Sequence, residues 1–191
     1  TFLGCEHTKN LTDVDIAVAG VPFDLGTSLR SGTRMGPSAI RSASMMLKDD
    51  ICHYNFNPCE KASIIDYGDF PIEVASIYDN LGIIEKEASK IISKHKHLIC
   101  MGGDHTITLA LLRAHVKHYG KLALIHFDAH HDYWPGTYGA THYHGSWLYD
   151  AILEDLIDCE HSIMIGIRAP SDPKYVEELE DKGFKIITAL D

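Results

Sequence analysis

The feature that most restricts the fold of this chain is the alternation of short apolar runs with longer segments of helical periodicity. The runs are too short for helices and are bounded by turn residues, so they predict buried strands at 15–23, 62–66, 97–101, 122–127, 162–167 and 184–188. Helical spacing predicts helices over about 37–47, 74–95, 106–118, 146–156 and 174–182. Residues 1–13 are expected to be irregular, and 67–69 to form a turn. This order is typical of a largely parallel sheet with helices on both faces.

Composition narrows the class of protein. A chain of 191 residues with 45% hydrophobic content favours a single α/β domain over 1–191. The net charge of −10 argues against a nucleic-acid binder. No basic-then-apolar leader and no run of about 18 apolar residues is present, so no membrane association is predicted, although the start at Thr1 leaves a removed leader open.

The five cysteines are odd in number and form no C-x-x-C pair, which indicates neither a zinc ribbon nor a disulfide framework. Cys52 and Cys59 could pair, and Cys100 lies in an apolar run as a buried thiol. Free thiols in a reducing cytosol are the expectation, and with them a cytoplasmic location.

The apolar run 122–127 stops abruptly in a cluster of potential metal ligands, namely Asp128, His130, His131 and Asp132. If the run is a buried strand, its side chains alternate, so Asp128, His130 and Asp132 share one face at its end. An open α/β sheet binds small molecules at this end of its strands. Carboxylates with imidazoles suit a hard to borderline divalent cation such as manganese.

Two further segments carry candidate site residues. The sequence Met-Gly-Gly-Asp-His at 101–105 follows a predicted strand and opens a helix, so His105 is expected beside the end of the next strand. The second segment ends the loop after the acidic cluster and contains His142 and His144. Either histidine could overhang the cluster and titrate near neutral pH, as a proton shuttle must, and spacing alone does not choose between them.

This set of ligands suggests two metal ions, which would hold a hydroxide activated for hydrolysis. Four protein ligands are nevertheless few for two cations that each favour about six neighbours. The candidates for additional carboxylates are Asp24, Asp66, Asp69 and Asp191.

Together these motifs resemble the ureohydrolase family, the group of arginase, agmatinase and formimidoylglutamase. The matching segments are GVPFDLGTSLRSGTRMGPSAIR (20–41), DYGD (66–69), MGGDH (101–105), FDAHHD (127–132), HG (144–145) and IGIR (165–168). The first of them is more similar to agmatinases and guanidino-acid hydrolases than to arginases. The resemblance covers nearly the whole chain.

The resemblance implies a three-layer α/β/α fold around a mostly parallel sheet, a binuclear manganese centre, and hydrolysis of a guanidinium group to urea and an amine. The metal ligands carried over by position are His105, Asp128, His130 and Asp132. Asp132 would also orient the attacking hydroxide, and His144 would be the general acid/base. His131 occupies a variable position and is not carried over. The family also implies a small cationic guanidino substrate and a homo-oligomer, trimeric or hexameric.

One part of the family pattern is missing from this sequence. Members carry a further strand with a D-x-D motif that supplies the remaining bridging carboxylates, and this chain stops at Asp191, before that strand. We therefore expect a truncated fold, an incomplete site and little or no turnover by these 191 residues alone. The alternatives are a formimidoylglutamase or guanidino-acid hydrolase or, in another class, an inactive fragment or regulatory paralogue. A dinucleotide site is disfavoured because no G-x-G-x-x-G follows the first strand.

Substrate identity is expected to depend on the loop around 134–144. Trp134, Tyr138 and Tyr143 could shape a pocket for an aliphatic amine or acid, or could simply cover the edge of the sheet. The stretch 133–145 contains no lysine or arginine to pair with a substrate carboxylate. This absence favours agmatine over arginine or guanidino acids.

Overall fold

The computed structural model describes residues 1–47, 57–74, 76–137 and 139–190, so Cys52, Tyr138 and Asp191 lie outside the described residues. Within them, seven strands form two sheets in which every pair is parallel. The strands are β1 (Glu6–His7), β2 (Ile16–Val21), β3 (Ile64–Asp69), β4 (His97–Gly102), β5 (Ile125–Phe127), β6 (Ile163–Ile167) and β7 (Lys185–Thr188). The first sheet has the order β1-β3-β2-β4 and the second β5-β6-β7.

The helices follow the predicted alternation, with ends shifted by a few residues. They are α1 (Gly36–Ser44), α2 (Pro58–Lys61), α3 (Ile77–Ile92), α4 (Ile107–Tyr119), α5 (Trp147–Leu153) and α6 (Pro173–Asp181). Side-chain caps fix three of the starts: Asn57 accepts a hydrogen bond from the backbone N–H of Cys59, Ser76 from that of Asp79, and Asp172 from that of Lys174. Across the described part of the chain, no helix combines the length and the apolar character needed to span a membrane.

One hydrophobic core runs through the described residues. Strand β2 lies between β3 and β4 and is buried from Ala17 to Val21, as expected for a parallel strand covered on both faces. Leu81 and Ile84 of α3, Trp147 of α5 and Met164 of β6 belong to the same core cluster. The two sheets therefore share a core although they do not pair with each other.

Local predictions were wrong in three places. The stretch 1–13, predicted to be irregular, contains β1, which pairs with β3. The predicted turn at 67–69 is instead the second half of β3. Gly68 has φ +82° there, and the register of β3 against β2 shifts beside it, so the glycine accommodates an irregularity within the strand. The short helix α2 was not predicted at all.

The largest departure concerns the predicted strand 122–127. Only β5 has strand geometry, and Leu122 forms an isolated bridge to Ile157. The strand is not buried on both faces, because Ile125 is 68% and Phe127 74% exposed while His126 between them is buried. Strand β4 lies at an edge of the first sheet and β5 at an edge of the second. The described residues therefore form two sheets, whereas the sequence predicted one.

The described cysteines are free thiols, namely Cys5, Cys59, Cys100 and Cys159. Cys100, expected to be buried, is only partly buried, and this burial raises the pKa of its thiol to about 12. Cys59 lies beside Cys5, with their Sγ atoms 3.8 Å apart. The possible pairing of Cys59 with Cys52 falls outside the described residues.

Candidate active site

The turn between β4 and α4 carries His105 to the carboxyl end of the first sheet. Gly103 has φ +66°, and a Cβ atom there would lie 2.4 Å from the carbonyl oxygen of Val21, so only glycine fits this approach to β2. The backbone N–H of Asp104 donates to the carbonyl of Phe23 at 2.8 Å and fixes the turn further. His105 is therefore placed by backbone contacts that the paired glycines permit.

Four side chains converge at this position, and their ligand atoms lie within 4.8 Å of one another: His105, His126, Asp128 and Asp132. His105 Nδ1 lies 2.7 Å from Asp132 Oδ2 and 3.3 Å from Asp128 Oδ2. His126 Nε2 lies 3.4 Å from Asp128 Oδ2. The indole N–H of Trp147 donates to Asp132 Oδ2 at 2.7 Å. Two carboxylates and two imidazoles thus face a common point.

The structure brings together three of the four predicted ligands and leaves His130 at the margin. His130 Nδ1 is 3.4 Å from Asp128 Oδ1, but the side chain is 52% exposed and is outside the group of four. Strict alternation ends with β5, and Asp132 has φ +49°, so the residues after Phe127 do not continue one strand face. His126 was missed, although it lies two residues before Asp128 and the same alternation would have placed it on that face.

The electrostatics of the cluster are those of carboxylates held around a positive charge. Burial alone would lower the pKa of His105, but its hydrogen bonds with Asp128 and Asp132 outweigh burial and raise this pKa to about 9. Burial alone would raise the pKa of Asp128, but the hydrogen bonds from His105 and the backbone N–H of His130 outweigh it and hold this pKa well below its usual range. The raised pKa favours the protonated form of His105, whose Nδ1 lies close to both carboxylates.

This donor set fits a divalent cation. Protonated His105 would place a positive charge beside Asp128 and Asp132. A metal ion bound there would supply that charge instead, and the neutral imidazole could then bind the metal. Burial lowers the pKa of His126, which favours the neutral form that binds metals. The buried Nδ1 of His126 has no hydrogen-bond partner among the described residues.

The two candidate proton shuttles occupy different surroundings. His144 accompanies His130 and Trp134 in the wall of a cavity of about 420 Å³ and accompanies His105 in the wall of a second of about 380 Å³. His142 instead places Nδ1 2.7 Å from Asp150 Oδ2, and its ring packs on Tyr78. His144 therefore lines both cavities, whereas His142 is hydrogen-bonded to Asp150 of α5.

The additional carboxylates expected from the sequence do not reach the cluster. Asp24 pairs with Arg34, and Arg41 binds both Asp66, at 2.8 Å, and Asp69, at 2.5 Å. Each of these three candidate carboxylates is paired with an arginine, and none of them belongs to the group of four. Asp191, the fourth candidate, lies outside the described residues.

Two of the three aromatic residues expected to shape a pocket do so. Trp134 and Tyr143 line the 420 Å³ cavity, together with Tyr175 of α6, which sequence reasoning did not select. Tyr138 lies outside the described residues. The cavity lies beside His130 and His144 and so opens next to the carboxylate–imidazole cluster.

Parallel strands that end in a cluster of carboxylates and imidazoles beside an aromatic-lined cavity define an α/β protein with a candidate metal site. The model of the arginase family matches residues 14–191, and the chain belongs to that family. Agmatinase of Citrobacter koseri is 40% identical over 180 residues, which are 93% of this chain and 56% of that relative. The chain therefore spans little more than half the length of the curated relatives it matches.

Solved structures confirm the arginase-like fold that the sequence resemblance implied. Proclavaminate amidino hydrolase from Streptomyces clavuligerus matches with a TM-score of 0.90 and 31% identity, covering 99% of this chain and 63% of that one. A hypothetical agmatinase from Burkholderia thailandensis matches with a TM-score of 0.90 and 38% identity, covering all of this chain and 59% of that one.

Proposed function

We propose that this protein is a metal-dependent hydrolase that cleaves the linear C–N bond of a guanidino compound and releases urea and an amine. The observation that carries the proposal is the convergence of two carboxylates and two imidazoles at the ends of parallel strands in an arginase-family chain. The names agmatinase and proclavaminate amidino hydrolase among its relatives support a guanidino substrate.

The proposed cofactor is a pair of Mn²⁺ ions, for which mixed carboxylate and imidazole ligands are suited. The residues proposed to hold them are His105, Asp128, His130 and Asp132. His126 lies close enough to Asp128 to contribute as well. When bound, the ions supply the positive charge that lets water act as a nucleophile near neutral pH.

The side chains of the site have distinct proposed roles. Asp132 orients the attacking water, and the hydrogen bond from Trp147 fixes its carboxylate. His144, in the cavity wall, carries a proton to the departing amine as the C–N bond breaks. The carboxylates attract the cationic guanidinium group of the substrate.

Agmatine is the substrate we propose. The 420 Å³ cavity beside His144 is lined on one side by Trp134, Tyr143 and Tyr175, and its described lining contains no lysine or arginine. A substrate carboxylate would find no cationic side chain there, whereas an aliphatic chain packs well on aromatic rings.

The cellular setting belongs to the same proposal. The described cysteines are free thiols, which supports a cytoplasmic enzyme. Assembly into a homo-oligomer stays a prediction from the family resemblance.

The test is a substrate screen of the complete gene product loaded with Mn²⁺. Agmatine, arginine, guanidinobutyrate and formiminoglutamate are supplied separately, and urea and formamide are both measured. We expect urea from agmatine and its loss after the metal is removed with a chelator. Formamide from formiminoglutamate would identify a formimidoylglutamase instead, and no product from any substrate would favour an inactive paralogue.

A further inference from the structure

Asp104, the residue before His105, holds the loop 24–33 beside the candidate site by a hydrogen bond. Asp104 is buried, and its carboxylate accepts the backbone N–H of Gly26 at 2.9 Å and that of Thr106 at 2.8 Å. The sequence motif that supplies His105 therefore also fixes the position of the loop that follows the neighbouring strand β2.

The same loop contacts His144 at two points. The backbone N–H of His144 donates to the carbonyl of Gly26 at 3.0 Å, and the ring Nε2 lies 2.9 Å from Ser28 Oγ. Ser28 and His144 both line the 420 Å³ cavity beside His130 and the 380 Å³ cavity beside His105. The pair thus forms part of the wall between the two cavities.

We propose that Ser28 is a positioning residue for His144, and that its hydroxyl fixes the ring orientation of this histidine through the hydrogen bond at Nε2. A serine hydroxyl both donates and accepts, so it can bond Nε2 in either tautomer of the neutral imidazole and restrain the ring. The inference rests on the proposed function, in which His144 delivers the proton to the departing amine.

The first test follows the hydrogen bond at His144 and needs no turnover. The imidazole ¹⁵N shifts of the histidine-labelled complete gene product are recorded, and the His144 signals are assigned by their loss in His144→Gln. Wild type and Ser28→Thr should show the same His144 shifts, whereas Ser28→Ala should shift the Nε2 signal because that nitrogen loses its hydrogen-bond partner. Ser42→Ala removes a comparable exposed serine hydroxyl in α1 and should leave the shifts unchanged. Identical His144 shifts in wild type and Ser28→Ala would overturn the proposal.

The second test is kinetic and uses the complete gene product with Mn²⁺ and agmatine. General acid–base groups contribute about 10²- to 10⁴-fold to rate, so a mispositioned His144 should lower kcat about tenfold in Ser28→Ala with little change in KM. Ser28→Thr should recover most of the rate. In the His144→Gln background, Ser28→Ala should have no further effect, because the two residues act as one unit.

The outcomes separate the two proposals. A raised KM with unchanged kcat in Ser28→Ala would show that Ser28 binds substrate and does not act through His144. Additive losses in the double variant would contradict the positioning role as well. An inactive wild type would instead refute the proposed function, and the ¹⁵N comparison would still decide whether Ser28 sets the state of the His144 ring.

Discussion

The orientation of one carboxylate depends on two residues far apart in the sequence. Asp132 is buried and receives hydrogen bonds from the indole of Trp147 and from His105, each at 2.7 Å to Oδ2. Partners of this kind, behind a metal ligand, orient the ligand and tune its affinity. Trp147 is thus both a core residue of α5 and a support for the candidate metal site.

Replacing Trp147 with Phe should weaken Mn²⁺ binding by about 10- to 100-fold, the usual cost of losing a hydrogen bond to a metal ligand. The ring still fills the core, so the effect on folding is limited and is measured separately by thermal unfolding. Titration calorimetry of the complete gene product gives the affinity. Tyr149→Phe, on the same helix at a tyrosine that packs on Tyr133, is the matched control. Equal affinity in both variants would exclude the supporting role.

At the level of elements, a buried carboxylate joins three pieces of the chain. Asp66 of β3 receives hydrogen bonds from Arg41 of α1 and from the backbone N–H of Phe2 near the N-terminus. Burial alone would raise the pKa of Asp66, but the hydrogen bonds from Arg41 outweigh it and lower this pKa. The network therefore holds α1 and the N-terminal segment against the first sheet.

Arg41→Ala should lower the free energy of unfolding by about 3 kcal/mol, because it leaves a buried carboxylate without its cation. Lys121→Ala, which breaks an exposed pair with Asp155, should have little effect because solvent screens that pair. Urea unfolding at pH 7 measures both.

The contribution of Asp66 to stability should depend on pH. Its folded-state pKa lies below the unfolded value of about 3.9, so the stabilisation of the fold by Asp66 is complete above that value and is lost as the pH falls through the folded-state pKa. A cost for Arg41→Ala that persists at the acid end of this range would contradict the assignment.

Sequence patterns predicted elements best where one periodicity dominates. The apolar spacing along α3 and the buried run of β2 gave the right structure with ends shifted by a few residues. The patterns failed for β1, which has only two residues and depends on pairing with β3, and for the end of β3, where Gly68 resembled a turn. Those outcomes depend on tertiary contacts that local periodicity does not encode.

The candidate site shows the same limit. Motif spacing predicted that His105, Asp128 and Asp132 would meet, because carboxyl ends of parallel strands share an edge. It did not predict that His126 would join the cluster while His130 lies at its margin, because the backbone leaves strand geometry after Phe127.

For the whole molecule, the two sheets of the described residues have four edge strands, β1, β4, β5 and β7. The exposed Ile99, Ile125 and Phe127 lie on β4 and β5. Periodicity identified these strands but not their neighbours, so it predicted one sheet where the described residues form two. Unpaired edge strands with exposed apolar side chains favour pairing with another strand.

The final prediction concerns the metal capacity of the 191-residue chain itself. The described donors at the site are His105, His126, Asp128, His130 and Asp132. Two manganese ions that each favour about six ligands need more than these supply. Calorimetry should therefore find no more than one weakly bound Mn²⁺ per chain, and an assay with agmatine should find little or no urea. His130→Ala should weaken this binding further, whereas His115→Ala, at a histidine bonded to its own helix, should not. Two tightly bound ions, or robust urea release, would show that these donors suffice and that the counting argument is wrong.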